Sequence, residues 1–187
     1  MKGTTMSIPT APEGYATINP FIICDDAEDE GRFIVEVFGG VERRESRAVD
    51  TDGLLMQGEI VVGATTIMLA DRKPDWPFTP SLLQIYVDDL EAALERAVER
   101  GGRIITTPTD FFGTQFARMQ DPHANMWWVW QHGEMVWDDE ANADAWTEDD
   151  APTESWEAIS PELAYLRDSI VTFMPTLSDP RTPGAHA

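Results

Sequence analysis

The chain is poor in cysteine, in basic residues and in long apolar runs. Cys24 is the single cysteine among 187 residues. No disulfide can therefore close within the chain, and a cysteine-based zinc site lacks its ligands. Lys and Arg total 13 against 34 Asp and Glu, for a net charge of −21. Phosphate recognition needs a basic surface, so nucleic acid and an anionic membrane are both disfavoured as partners. No apolar run approaches the roughly 20 residues that a membrane-spanning helix requires. The first residues hold one Lys and then Thr, Ser and Pro, without the apolar stretch of a secretory signal, so a cytoplasmic protein is expected.

What remains is enough for a core. Apolar residues make up 42% of the chain, which suits one domain of ordinary size with an appendage. The charge is uneven. Residues 1–132 carry 21 acids and 11 bases, whereas residues 133–187 carry 13 acids and 2 bases. The shift falls at Gly133, ahead of Asp138-Asp139-Glu140, Asp144 and Glu148-Asp149-Asp150. Residues 133–158 therefore read as an acidic connector that aids solubility. Trp137, Trp146 and Trp156 lie in or beside the acid runs, so part of the connector is expected to dock. Ser160-Pro161-Glu162 then reads as a helix start, with Leu163, Leu166, Ile170 and Phe173 or Met174 at helical spacing and Pro175 as a stop. A one-sided helix over 159–175 needs a surface, either on its own domain or on a second subunit. Residues 176–187 read as a loose tail and residues 1–14 as an N-terminal arm.

The most informative pattern is an internal repeat. An apolar run from Ile18 to Cys24 ends at Asp25-Asp26, and a helical segment from Ala27 to Phe38 closes at Gly39-Gly40. A second run from Leu82 to Val87 ends at Asp88-Asp89, and its helix from Leu90 to Arg100 closes at Gly101-Gly102. Acids suit a helix N-terminus and glycine a left-handed stop. Three strands are expected after each helix: Val41–Arg47, Leu54–Val62 and Thr65–Ala70 in the first copy, and Arg103–Thr107, Gln115–Gln120 and Met126–Gln131 in the second. The fold predicted is α+β, with two tandem βαβββ modules at about 15–72 and 80–132 within a domain over 15–132. The modules are expected to form a curved, cup-like mixed sheet, with the acidic extension and its one helix appended. The inner face of a cup is a common place for a small-molecule site.

At this point the sequence resembles the vicinal oxygen chelate superfamily of glyoxalases, bleomycin-resistance proteins, fosfomycin-resistance proteins and extradiol dioxygenases. The carriers are Asn19 to Asp26 with Val37-Phe38-Gly39-Gly40, Gly63 to Asp71, Ile85 to Leu90, and Pro108 to Gly113 with Asp121-Pro122. The resemblance covers about residues 16–132. It implies a divalent metal held by one early and one late strand position in each module, which fall at Asn19, Met68, Leu82 and Trp128. Imidazole or carboxylate ligands are needed there. Leu and Trp cannot serve, Met is too soft, and a lone Asn is too weak, so no metal and no cofactor is expected. Gln84 and Glu59 nearby would make a poor substitute. His123, His132 and Glu59 are the remaining acid–base candidates, Cys24 reads as a small apolar filler, and no nucleophile–base set appears, so no catalytic residue is assigned.

Strand alternation places Asn19, Phe21 and Ile23 on the inner face, together with Leu82, Gln84 and Tyr86, and with Trp128 and Trp130. Trp127 and Val129 then face the helix side. The ligand-binding candidates are Asn19, Phe21, Gln84, Tyr86, Phe112, Gln115, Trp128 and Trp130, with Phe111 and Phe116 also near the rim. An aromatic lining on an acidic protein suits a small aromatic or cationic organic molecule. The leading expectation is metal-independent binding of the sequestration type by a homodimer, with the C-terminal helix as a dimer clasp. A metal-dependent lyase, isomerase or dioxygenase is the alternative. A second alternative is an interaction protein whose cup is filled and which acts through the acidic tail and helix.

Overall fold

A computed structural model describes residues 10–133 and 160–182. The acidic runs and Trp137, Trp146 and Trp156 of the connector lie outside the described residues. The chain divides into two compact units at Thr79/Pro80.

In the first unit, β1 (Phe21–Cys24) leads into α1 (Ala27–Phe38). Asp26 caps α1, its carboxylate accepting from Asp29 N at 2.8 Å. Gly39 ends it at φ 74°, where a Cβ would be strained. Two short strands, β2 (Val41–Glu42) and β3 (Ala48–Val49), precede the hairpin of β4 (Leu55–Val62) and β5 (Thr65–Asp71). The sheet order is β1-β5-β4-β2, with β3 also on β4. β1 runs parallel to β5, and β4 is antiparallel to β5. The expected continuous strand over Val41–Arg47 is interrupted by a 3-10 turn at Arg44–Ser46. Its arginines turn to carboxylates: Arg47 pairs with Glu28 at 2.7 Å and Arg44 with Glu42 at 3.5 Å. Charge on so short an edge also discourages further strand pairing.

The second unit repeats the plan. β6 (Leu82–Tyr86) is followed by α2 (Leu90–Glu99), β7 (Arg103–Phe111), β8 (Thr114–Gln120) and β9 (Met126–Gln131). The order is β6-β9-β8-β7, again with the first strand parallel to the last. Both modules are thus βαβββ units with sheets of their own, and the α+β class stands as expected. β7 runs past Pro108, where the sequence pattern stops it. It is an edge strand with register shifts between Ile104 and Thr109, and a proline is tolerated in that setting. Phe112 and Gly113 form a two-residue turn to β8, both at positive φ (53° and 82°), as a type I′ hairpin demands.

The face of the second sheet toward α2 is core. Ile85, Ala117, Met119 and Val129 are buried there, as are Leu90, Ala93, Leu94 and Ala97 of the helix. Trp127 belongs to this face and donates from Nε1 to Asp121 at 2.8 Å. Asp121 also accepts from His123 N and Asn125 N at 2.9 Å, and so ties the β8–β9 turn together. Burial pushes the Asp121 carboxyl up, against the pull of these donors.

α3 (Pro161–Phe173) begins as the sequence predicts. Ser160 Oγ accepts from Leu163 N at 3.2 Å, and Pro161 occupies the first turn. The helix lies on the other face of the second sheet, along β7. The surface it needs is therefore supplied by its own module. Replacing Asp121 with Ala strands two backbone N–H groups and an indole N–H, and is expected to cost about 3 kcal/mol, with Asn milder. Denaturant midpoints of the two variants check this.

Candidate functional site

Each module presents one face away from its helix, and the two faces differ in chemistry. In the first module Phe21 pairs with Met68, and Met68 with Glu59, so these three side chains share that face. Phe21 is 50% exposed. Asn19 lies just before the strand and folds back locally, accepting from Ala16 N at 3.1 Å and donating to Ala16 O at 2.7 Å. Glu59 is fully buried, and its carboxylate accepts Tyr15 Oη at 2.8 and 3.0 Å and Gln57 Nε2 at 2.9 Å. Arg43 stands 3.6 Å away. Burial alone would raise the Glu59 carboxyl, but hydrogen bonds from Tyr15, Gln57 and Ser46 together with the Arg43 charge hold it below the ordinary value of 4.5. So engaged, Glu59 is a poor general base. It ties the segment before β1 to the sheet.

The corresponding face of the second module is aromatic. Phe116 pairs with Trp130, and Arg118 with Trp128. Gln84 lies beside Trp128 and Tyr86 beside Trp130. The Tyr86 and Trp130 ring centroids are 6.4 Å apart, and those of Phe116 and Trp130 are 4.3 Å apart. Gln84 Nε2 donates to Tyr86 Oη at 3.0 Å, both side chains being exposed on edge strand β6. Phe112, strained at the hairpin tip, meets Phe111 edge-on at 5.0 Å. Trp128 and Trp130 occupy the face that alternation assigns them. Gln115 does not: it pairs with Gln131, whose side chain accepts from Leu90 N of α2 at 2.8 Å. Gln115 therefore stands on the α2 side, one residue out of phase with Phe116, and leaves the candidate site.

α3 covers part of this aromatic face. Leu163 and Leu166 are buried against Phe116, with Phe111, Trp128 and Trp130 packed around them. Tyr165 Oη accepts from Thr107 N at 3.0 Å, and Ser169 Oγ lies 2.8 Å from Thr106 Oγ1. A cleft of about 500 Å³ remains between helix and sheet. Phe111, Phe116, Trp128 and Trp130 line it with Arg118, while Leu166 and Ile170 bound it from the helix.

Arg118 is the residue that sequence reasoning missed. It is 9% exposed. Its Nη1 donates to Leu166 O at 2.6 Å, to Thr106 Oγ1 at 3.2 Å and to Ser169 Oγ at 3.3 Å. The guanidinium carbon stands 4.7 Å from the Phe116 ring centre and 5.7 Å from that of Trp128. Burial pulls its pKa down to about 10, with Tyr165 opposing, so the group stays charged at neutral pH. The available signal was a basic residue at the inward-facing, alternate positions of a strand flanked by Phe and Trp.

The superfamily's metal does not fit these residues. The first module offers an amide already engaged with Ala16 and a thioether; the second offers Leu82 and Trp128. Among the described residues no three His, Cys, Asp or Glu side chains come together in a metal-holding group. His123 and His132 do not line the cleft, and Cys24 is buried in β1. Nor is any described helix long and apolar enough to cross a membrane.

Comparison with known proteins agrees with this architecture. The family model described as the Glyoxalase/Bleomycin resistance protein/Dioxygenase superfamily matches residues 15–129, and the chain belongs to that superfamily. An uncharacterized protein of Mycobacterium tuberculosis strain H37Rv is 27% identical over 138 residues, covering 67% of this chain and 78% of that protein. One from Mycobacterium bovis is 26% identical over 122 residues, covering 59% of this chain and 79% of its own. A Pseudomonas aeruginosa protein of known crystal structure superposes with a TM-score of 0.51 at 20% identity, over 62% of this chain and 96% of that one. A glyoxalase/bleomycin resistance protein/dioxygenase family enzyme from Burkholderia phytofirmans PsJN gives 0.50 at 19% identity, over 59% and 94%. At these identities the structural likeness is one of fold.

Two outcomes test the site's construction. Leu166→Ala is expected to weaken docking of α3 by about 3 kcal/mol, read as faster amide exchange throughout the helix. The Glu59 contribution has a definite sign: with its folded pKa below 4.5, its stabilisation is complete above that value and lost as pH falls through the folded one. Glu59→Gln should flatten that acid limb of the stability profile, as measured by thermal melts across the acid range.

Proposed function

We propose that this protein binds a small aromatic molecule, without a metal and without chemistry on it, in the cleft between α3 and the aromatic face of the second module. The observation that carries the reading is the cleft itself: four aromatic rings gathered on one sheet face and left partly open by a helix that covers the rest. Its volume suits a drug-sized or smaller molecule, and stacking on Trp and Phe rings supplies non-directional affinity. Among the described residues lining the cleft there is no His, Cys, Asp or Glu, so none stands ready as nucleophile or general base. The unfitted metal positions support the same reading.

The aromatic half of the sequence-based ligand expectation carries over to this cleft. The cationic half meets a buried guanidinium at the same place, and like charges oppose each other strongly where water is scarce. Intrinsic tryptophan emission, titrated with a panel of flat aromatic compounds, is the test. Saturable quenching is expected. Trp130→Leu should weaken it roughly fivefold, the equivalent of about 1 kcal/mol of ring contact. A panel in which no compound saturates, with Trp128 and Trp130 emission unchanged, would remove the reading.

A further inference from the structure

The electrostatics of the cleft carry the argument further. Arg118 is nine-tenths buried, and among the described residues no carboxylate stands against it. Its three hydrogen bonds all leave from Nη1, and all go to neutral oxygens. Nε has no partner and is closed off from solvent. Nη2 makes no hydrogen bond among the described residues either. Nε and Nη2 form one edge of the guanidinium fork, the edge that matches the two oxygens of a carboxylate.

A largely buried charge that meets neutral acceptors at Nη1 and aromatic faces at its carbon still leaves the Nε/Nη2 edge unpaired, and such an edge calls for an explanation. A latch for α3 accounts for Nη1. It does not account for the charge, because a neutral donor would serve Leu166 O and Ser169 Oγ as well. A second orphan lies alongside: Trp130 Nε1 is buried with no acceptor. The second basic residue of the cleft, Arg167, pairs with Asp168 at 2.9 Å and is half exposed.

We infer that the ligand of this cleft is an aromatic carboxylate, its ring stacked among Phe116, Trp128 and Trp130 and its carboxylate paired side-on with the Nε/Nη2 edge of Arg118. The assignment rests on the binding reading above and adds the ligand's charge and the group that meets it. Because Nε is closed off from solvent, seating the carboxylate requires local movement of the side chains around that edge. The Nη1 bonds to Leu166 O and Ser169 Oγ keep α3 in place meanwhile.

Three matched probes separate the possibilities: 3-phenylpropionate, 3-phenylpropanamide and 3-phenylpropylamine, titrated into the full chain by calorimetry at neutral pH. The acid is expected to bind about tenfold tighter than the amide, as a charge-assisted pair of hydrogen bonds gives, with the amine weakest. In Arg118→Met the acid should fall to the level of the amide, and in Arg118→Lys it should lie between, since lysine keeps the charge and loses the fork. Amide exchange in α3 reports whether each variant keeps the helix docked. If Arg118→Met does not fold, the ordering of the three probes on the native chain decides alone. Equal affinities, a preference for the amine, or an acid preference that survives in folded Arg118→Met would overturn the carboxylate assignment and leave the aromatic cleft standing. If none of the three binds, while other aromatic compounds quench the tryptophans, the carboxylate assignment again fails by itself. If nothing binds at all, both readings fall.

Discussion

The second module is organised by a positive charge that is nine-tenths buried. The Arg118 guanidinium lies near the rings of Phe116 and Trp128 and against the middle of α3. A charge in such a place must be solvated by the protein, and the oxygens of Leu166, Ser169 and Thr106 do so on one side only. Helix position, cleft and aromatic wall then become a single arrangement. Moving α3 removes acceptors from Nη1, and moving the aromatic rings removes the faces over which the cation sits.

The first module shows the same fold settling its face differently. On that face the buried charge is Glu59, and it is answered: it takes hydrogen bonds from Tyr15 and Gln57 beside the Arg43 charge. Nothing is left for a ligand to supply. On the faces turned away from α1 and α2, the first module thus closes its carboxylate, Glu59, and the second leaves one edge of its guanidinium, Arg118, unpaired among the described residues. Family membership fixes the scaffold; the side chains on each face decide what it holds.

Much of this was legible in the sequence. The Asp-Asp starts and Gly-Gly stops located α1 and α2, because capping and left-handed termination are local chemistry. Ser160-Pro161 located α3 for the same reason. Period-two alternation put Trp128 and Trp130 on one face and Trp127 on the other, as the pairing confirms. Three things were hidden because they depend on partners distant in the chain. Gln115 was misplaced, since its phase is set by Gln131 across the sheet. Pro108 was read as a strand end, since a sequence does not announce which strand lies at an edge. Arg118 carries no mark of its own in the sequence, since its contacts come from a helix some fifty positions away.

The helix that closes the cleft is joined to the strand beneath it through residues 132–160 of the same chain. Its docking is therefore unimolecular, and the share of molecules with the helix in place does not depend on the amount of protein present. Dilution consequently leaves the Leu166 and Ile170 wall of the cleft in place, whereas a wall borrowed from a second molecule would be lost.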